Sequence, residues 1–488
     1  MTAENYIDNS ALLPGYVPDS KVNLEDSGNG LRSPDWVKSL IIEQVNVASA
    51  SPDGKFSGMS FVLEHLAEVG VNCIWLNPIF DGRHYYNYGP GTLNPLLTGT
   101  EDYGESLKVV TSFVDTAHMH NIRVLFDIVT WGVNPQAPIF KEHPDWFSGY
   151  SDEYRGPLFD WNNSELFDWF SDRLINIIRE TGADGYRADC GIEFCGPELY
   201  SRVRRVLHGE GKYIAVIGEV IAEGTQRFFD FNEHSIDYWT TKEGTKFIEG
   251  EINFISGYKA DMISAVKEGK GLDTRQRQAS ENAGKLRFYS SIVSCHDSHS
   301  YIAKGRSAAI IYSSVLSPFI PMWYIGEEWN NPYTGTDSCK WLYANKIDWS
   351  KRADNREFYE TVKKAVRIRR LFPEIFEYFP LNHREINFCA VYTDKPNALP
   401  AYARTADGYG IIVVPNYSDN DSEFEITVPL DEFGIAKDAE YMTADLISGE
   451  TLSGSRTFKR VIAAEGTGIY LVASAEKVKQ TIILVSGD

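Results

Sequence analysis

The feature that most constrains this chain is a repeat of short apolar strands and amphipathic helices along most of its length. LIIEQVNV (Leu40–Val47) leads to a helical pattern over Met59–Val69, and CIWLNPIF (Cys73–Phe80) to a helix over Glu105–His120. IRVLFDIVT (Ile122–Thr130) is followed, after an irregular stretch, by a helix over Ser164–Thr181. The strand Asp184–Cys190, a helix around Pro197–Leu207 and the strand Tyr213–Ile221 continue the series. A weaker strand near Ser235–Trp239, a helix over Gly257–Glu268, the strand Arg287–His296 and a helix over Lys304–Leu316 come next. Pro321–Ile325 and a long helix over Arg356–Leu371 end it. About eight alternations is the number at which a parallel sheet closes into a (β/α)8 TIM barrel. A doubly wound open sheet wants fewer strands and usually a Gly-rich phosphate turn after the first. Here the first strand runs into VASASPDGKFSG, which has no such fingerprint.

Two stretches break the alternation. Residues 131–160 are rich in Pro, Trp and Tyr, and read as a short excursion after the third strand. After about Pro380 short strands such as Gly410–Val414 and Gly468–Val472 alternate with Gly, Asn and Asp turns, without a clear helix. That pattern predicts a C-terminal antiparallel β-sandwich. The expected organisation is 1–130 for an N-terminal segment and the first part of the barrel, 131–160 for the excursion, 161–379 for the remaining barrel, and 380–488 for the sandwich.

Charge and composition narrow the partners. A net charge of -21 leaves nothing to neutralise phosphates, so nucleic acid is not expected. No apolar run is long enough to span a membrane, and the polar, acidic start does not read as a signal peptide. The six cysteines show no zinc-like spacing and point to free thiols in a reducing compartment, hence a cytoplasmic location. With 11 Trp and 27 Tyr the chain can offer aromatic faces to the apolar C–H face of a sugar, although core packing is the commoner use.

Four strands end in a carboxylate: Asp127 after IRVLF, Asp189 after DGYRA, Glu219 within YIAVIGEV, and Asp297 after SSIVSCH. C-terminal strand ends line the active site of a barrel of this kind. Single acidic residues there are usually caps or turn formers, but four on strands three, four, five and seven point to chemistry. Arg187 and Asp189 lie two apart on one strand and face the same side. A guanidinium beside Asp189 is expected to keep it ionised and nucleophilic. Glu219 follows an apolar run, where a dry setting favours the protonated form of a general acid. Two carboxylates in opposed environments are what glycoside cleavage requires.

With these residues in hand, the chain from about 36 to 375 resembles the α-amylase family, glycoside hydrolase family 13. ADGYRAD is similar to that family's nucleophile segment, which implies Asp189 as nucleophile and Arg187 as its partner. IGEV resembles the acid/base segment and implies Glu219. SCHDSH resembles the segment ending in His-Asp. It implies that His296 and Asp297 hold hydroxyls of the reacting sugar, with Asp297 helping to distort its ring. LFDIV resembles the third-strand segment and implies Asp127. GVNCIWLNPIF, PFIPMWYIGEEWN and AVRIRRLFPEIF fit the second strand, the eighth strand and the final helix, in family order. Tyr85 stands where a Tyr stacks on the reacting sugar, with Tyr86 and Tyr88 as alternatives.

The departures from the family pattern concern the sugar-holding groups. Where the family continues Asp-x-x-x-Asn-His, this chain has Asp127-Ile-Val-Thr-Trp131-Gly132. The usual Asn often ligates calcium and the usual His contacts the sugar, so the resemblance implies no metal at that site and an altered pocket around Trp131. Glu193 replaces the Lys or His that touches the leaving-side sugar. No cofactor is expected. The expected activity is retaining hydrolysis of α-glucosidic bonds in malto-oligosaccharides or related α-glucosides. The alternatives are a transglycosylase (a glucanotransferase or isomerase) of the same family, a metal-dependent barrel enzyme, against which Arg187 argues, and a non-catalytic carbohydrate-binding or interaction protein.

Overall fold

The computed structural model describes residues 6–8, 32–219, 229–232, 236–237, 290–296, 311, 314–331, 346–377, 387–395, 401–416, 418–452 and 454–486. The helix expected over Gly257–Glu268 lies outside them, as does most of that expected over Lys304–Leu316. The chain divides into two units. One is 1–235 with 274–290 and 343–346; the other is 236–273, 291–342 and 347–488. The division falls within the strand–helix series and not at the expected boundary near 380.

The first unit is built on a parallel sheet. Its strands are β1 (Ile42–Val45), β2 (Cys73–Leu76), β3 (Arg123–Ile128), β4 (Gly185–Ala188), β5 (Ala215–Gly218) and β6 (Phe231–Asn232), paired in that order. Residues on both faces of β1, β2, β4 and β5 are buried, which is why these strands read as continuous apolar runs rather than alternating ones. The register sets Arg187 beside Asp127 on one side and Ile217 on the other. Helices α1 (Met59–Val69), α2 (Tyr103–Met119), α3 (Ser164–Thr181) and α4 (Glu198–Gly209) connect the strands. Their limits follow local chemistry. The Asp102 side chain caps α2 at the Glu105 N–H, and Asn163 caps α3 at the Glu165 and Leu166 N–H groups. Gly70 and Gly182, at φ 95° and 72°, end α1 and α3 in the left-handed region that glycine tolerates.

Buried carboxylates lock the layers away from the C-terminal strand ends. Asp184, just before β4, accepts from the Val124 N–H (2.9 Å), Arg123 Nη1 (2.8 Å) and His118 Nε2 (2.7 Å). Asp230 accepts from Ser33, Arg204 and the Val216 N–H, joining α4 to β5 and β6. Gly185 is required because a Cβ there would lie 1.9 Å from the Ala215 carbonyl oxygen.

The excursion has more regular structure than its sequence predicts. A short helix, Pro138–Glu142, leads into an antiparallel hairpin of Phe147–Ser151 and Gly156–Phe159. The hairpin lies directly on the chain leaving β3: Gly132 bridges to Leu158, and a Cβ on Gly132 would lie 2.0 Å from the Pro157 oxygen.

In the second unit, strands Ile236–Asp237, Ser290–Ile292 and Ile320–Tyr324 neighbour one another in that order. Helix α5 (Arg356–Leu371) matches its expected bounds. The C-terminal strands form a six-stranded and a three-stranded antiparallel sheet. Ile412, Val414 and Val472 from the first pack with Phe424, Ile426, Phe458 and Ile462 from the second in one core, as expected of a sandwich. The absence of a C-terminal helix is corrected: α6 (Ala475–Ser486) follows the last strand. Its β-branched stretch TIILV reads as a strand, yet Val478, Thr481 and Val485 fall at helical spacing and are buried, while Ile483 and Leu484 are exposed.

Candidate active site

The site forms where β2, β3, β4 and β5 end. Asp189 and Glu219 are the first residues beyond β4 and β5. The Asp189 N–H donates to the Ile128 oxygen (2.9 Å) and the Glu219 N–H to the Ala188 oxygen (3.2 Å), so each continues the ladder by one residue. Side-chain alternation then turns Arg187 and Asp189 to one side, as expected.

One guanidinium organises three carboxylates. Arg187, fully buried, places Nη1 at 2.7 Å from Asp189 Oδ1 and 3.1 Å from Asp127 Oδ1, and Nη2 at 3.1 Å from Glu219 Oε1. Carboxylate oxygens of Asp189 and Glu219 lie within 4.8 Å of each other. A guanidinium among these groups fills the place a metal cation would take, which disfavours the metal-dependent reading.

The ionisation of Asp189 differs from the expectation. Burial pushes its carboxyl well above the ordinary carboxylate range, Glu219 adds to the rise, and Arg187 opposes both without cancelling them. The sequence showed the cation but not that a second carboxylate shares it. The surroundings of Glu219 are also less dry than its apolar strand implies. It accepts from the Cys190 N–H at 2.6 Å as well as from Arg187, and its side chain is 18% exposed.

Asp127 is one of the substrate-binding candidates read from the sequence. It is fully buried and engaged by protein donors at both oxygens, with Trp75 Nε1 (2.8 Å) and the Tyr85 hydroxyl (2.6 Å) donating to Oδ2. Of the three tyrosines left open, Tyr85 is the one at the centre. Asn77 Nδ2 donates to its hydroxyl at 2.9 Å, and Gln44 Nε2 donates to Asn77 in turn. Burial, then the Asp127 charge, pushes the Tyr85 phenol well above its ordinary range, so it stays a donor. Tyr86 instead packs edge-on against Trp131.

Trp131 is the second substrate-binding candidate on the third-strand segment. It is 2% exposed and stacked on Tyr154 at 5.0 Å, because the excursion hairpin closes over it. Neither Trp131 nor Gly132 offers a side-chain ligand for a calcium ion. Glu193 is exposed on the turn after Cys190. His296 is buried in the second unit, after strand Ser290–Ile292, and Asp297 lies outside the described residues.

Sequence reasoning missed Trp75, Gln44, Cys190 and Tyr154, and gave Asn77 no role. Asn72, also without a role, is structural, bridging Ile41 and Ser39. Trp75 lies under the Arg187 guanidinium at 4.6 Å. Its signal was the cross-strand register, which pairs Trp75 with Leu125, two residues before Asp127.

A parallel-sheet barrel with carboxylates gathered at its C-terminal strand ends is the class this sheet and cluster define. The comparisons agree. A model described as "Alpha amylase, catalytic domain" matches residues 32–185. "Alpha-amylase 2" of Dictyoglomus thermophilum is 22% identical over 418 residues, 76% of this chain and 66% of that protein. "Intracellular maltogenic amylase" of Bacillus subtilis is 21% identical over 77% of this chain and 68% of that one. "Trehalose synthase" of Thermus thermophilus is 30% identical over 35% of this chain and 21% of that one. The chain thus spans about two thirds or less of the length of these relatives. Among solved structures, α-amylase from Geobacillus thermoleovorans, complexed with acarbose, superposes with a TM-score of 0.64 at 16% identity, covering 90% of this chain and 99% of that one. The fold is a (β/α)8 barrel with a C-terminal β-sandwich. Over residues 32–185, and more distantly over most of its length, the chain is similar to the α-amylase family, glycoside hydrolase family 13.

Proposed function

We propose that the protein is a retaining glycoside hydrolase cleaving α-glucosidic bonds in malto-oligosaccharides or related α-glucosides. The observation that carries this reading is the Asp189–Glu219 pair, on adjacent strands, within 4.8 Å and on one guanidinium. Retaining enzymes hold their carboxyl groups about 5–5.5 Å apart, too close for a water between them and the sugar. Asp189 attacks the anomeric carbon as the glycosidic bond breaks, and the leaving oxygen takes the proton of Glu219. Glu219 then removes a proton from water, which attacks the same carbon and frees Asp189. Arg187, fixed by Asp127 and Trp75, holds both carboxylates in place.

An aryl α-maltoside followed by proton NMR tests this. The expected first product is the α-anomer. A β-anomeric first product, or full activity in Glu219→Ala, overturns the mechanism. A transglycosylase is the second reading, supported by the 30% identity to a trehalose synthase over 210 residues. Feeding maltose and looking for a rearranged disaccharide separates the two. Asp297 and His296 are proposed to hold sugar hydroxyls, and Glu193 to border the leaving side.

The protein is proposed to need no calcium after β3, a reading supported by Trp131 and Gly132. Unchanged activity after dialysis against a chelator is the expected result. Among the described residues no helix is long and apolar enough to cross a membrane. A reducing, cytoplasmic setting is proposed from the cysteines, of which five among the described residues, Cys73, Cys190, Cys195, Cys295 and Cys389, are free thiols.

A further inference from the structure

Cys190 touches both members of the carboxylate pair. Its backbone is left-handed, at φ 56°, followed by Gly191 at φ 59°. Such a conformation is uncommon outside glycine. It turns the chain back at the end of β4, with the Gly191 N–H donating to the Ala188 oxygen (3.0 Å). One residue thereby presents two groups to the centre. Its N–H donates to Glu219 Oε2 at 2.6 Å, and its thiol lies 3.7 Å from Asp189 Oδ2. Behind the thiol stands the Tyr154 hydroxyl, also at 3.7 Å, carried by the excursion hairpin and stacked on Trp131.

The two oxygens of Asp189 are therefore unequal. Oδ1 is held by the Arg187 guanidinium at 2.7 Å, a strong charge-assisted bond. Among the described residues Oδ2 meets a thiol alone, a weak donor that releases a lone pair easily. We infer that Oδ2 is the attacking oxygen, and that Cys190 is a positioning residue whose thiol orients it while its N–H fixes Glu219. This rests on the hydrolase reading above.

The consequence is a trade between orientation and nucleophilicity. A hydroxyl in place of the thiol binds Oδ2 more strongly, favours the ionised carboxyl and blunts its attack. A methyl group frees Oδ2 and leaves the carboxyl harder to ionise. Among the described residues, the other titratable or charged groups around Asp189 are Arg187, Asp127 and Glu219, with Tyr85 and Tyr200 beyond them. All of these are unchanged in both variants.

The test uses α-maltosyl fluoride, whose leaving group needs no acid, across a pH series with Cys190→Ser, Cys190→Ala and the unaltered protein. Cys190→Ser should lose about tenfold in kcat with little change in KM, the effect of one added hydrogen bond. Its acid limb should move to lower pH, and that of Cys190→Ala to higher pH. Coincident acid limbs for all three, with turnover present, overturn the role of Cys190 alone. No turnover by the unaltered protein overturns the hydrolase reading and the nucleophile assignment with it. Should a variant not fold, the infrared S–H stretch of the unaltered protein gives the same answer. A thiol donating to a carboxylate absorbs at lower frequency than one facing an amide, so the band should differ from that of Asp189→Asn. An identical band in the two proteins overturns the contact.

Discussion

At the scale of single residues, the site is organised by what surrounds Asp189 as much as by Asp189 itself. Its carboxyl is raised by burial and by Glu219, so ionising it opposes folding. The contribution to stability is complete below the ordinary carboxylate range and is lost as pH rises through the elevated value. Asp189→Asn removes that loss. Its Tm should exceed that of the unaltered protein by a few degrees at pH 7, about 1–2 kcal/mol. The gap should close in acid, as calorimetry over a pH series will show. Trp75 offers a second test. Trp75→Phe keeps the ring beneath Arg187 but removes the donor to Asp127 Oδ2. The guanidinium then loses one fixed neighbour, and a shift of a fraction of an ångström reaches both carboxylates. The expected result is a fall in kcat of about 10–100-fold with folding intact. Asp189, Glu219 and Arg187 were legible from alternation and from their place at strand ends. The unequal environment of Asp189 was not, because it depends on cross-strand distances that no periodicity encodes.

At the scale of elements, helices were legible where apolar residues recur at helical spacing. Met59–Val69, Ser164–Thr181 and Arg356–Leu371 match their expected bounds, each with apolar residues at helical spacing. The strands came out shorter than their apolar runs, since residues such as Val47 and Phe80 are buried without being in the ladder. The excursion and α6 were the harder cases. The excursion folds by a hairpin whose contacts include its own aromatic residues, Gly132, Cys190 and Phe170 of α3, and these are nonlocal in the sequence. Gly132→Ala tests that packing. A Cβ 2.0 Å from the Pro157 oxygen forces the hairpin away from the chain leaving β3. Destabilisation of about 2–3 kcal/mol is expected, with faster limited proteolysis within 147–159. The clamp between α2 and β4 has a pH signature. The hydrogen bond to Asp184 raises the His118 imidazole above its ordinary value, with partial burial opposing and the Asp184 charge assisting. The clamp therefore contributes fully below the ordinary histidine range and fades as pH rises through the elevated value. His118→Gln should lower the urea midpoint more at pH 6 than at pH 9.

At the scale of the whole molecule, the acidic balance seen in the sequence, a net charge of -21, continues into the proposed catalytic centre. There, among the described residues, three carboxylates face one guanidinium. Even with one proton retained on the Asp189–Glu219 pair, that centre holds one more negative charge than positive. In this state the centre is short of a cation, and the oxocarbenium-like species of the proposed cleavage would supply it. Basic ring-nitrogen sugar mimics carry the same charge before any reaction occurs. They should bind better than neutral sugars of equal size, and their advantage should shrink as salt rises or as acid protonates the pair. Isothermal titration with a six-membered ring amine against glucose, at two salt concentrations, reads this directly. The pocket would then act as a receptor for amines whose strength is set by its proton count.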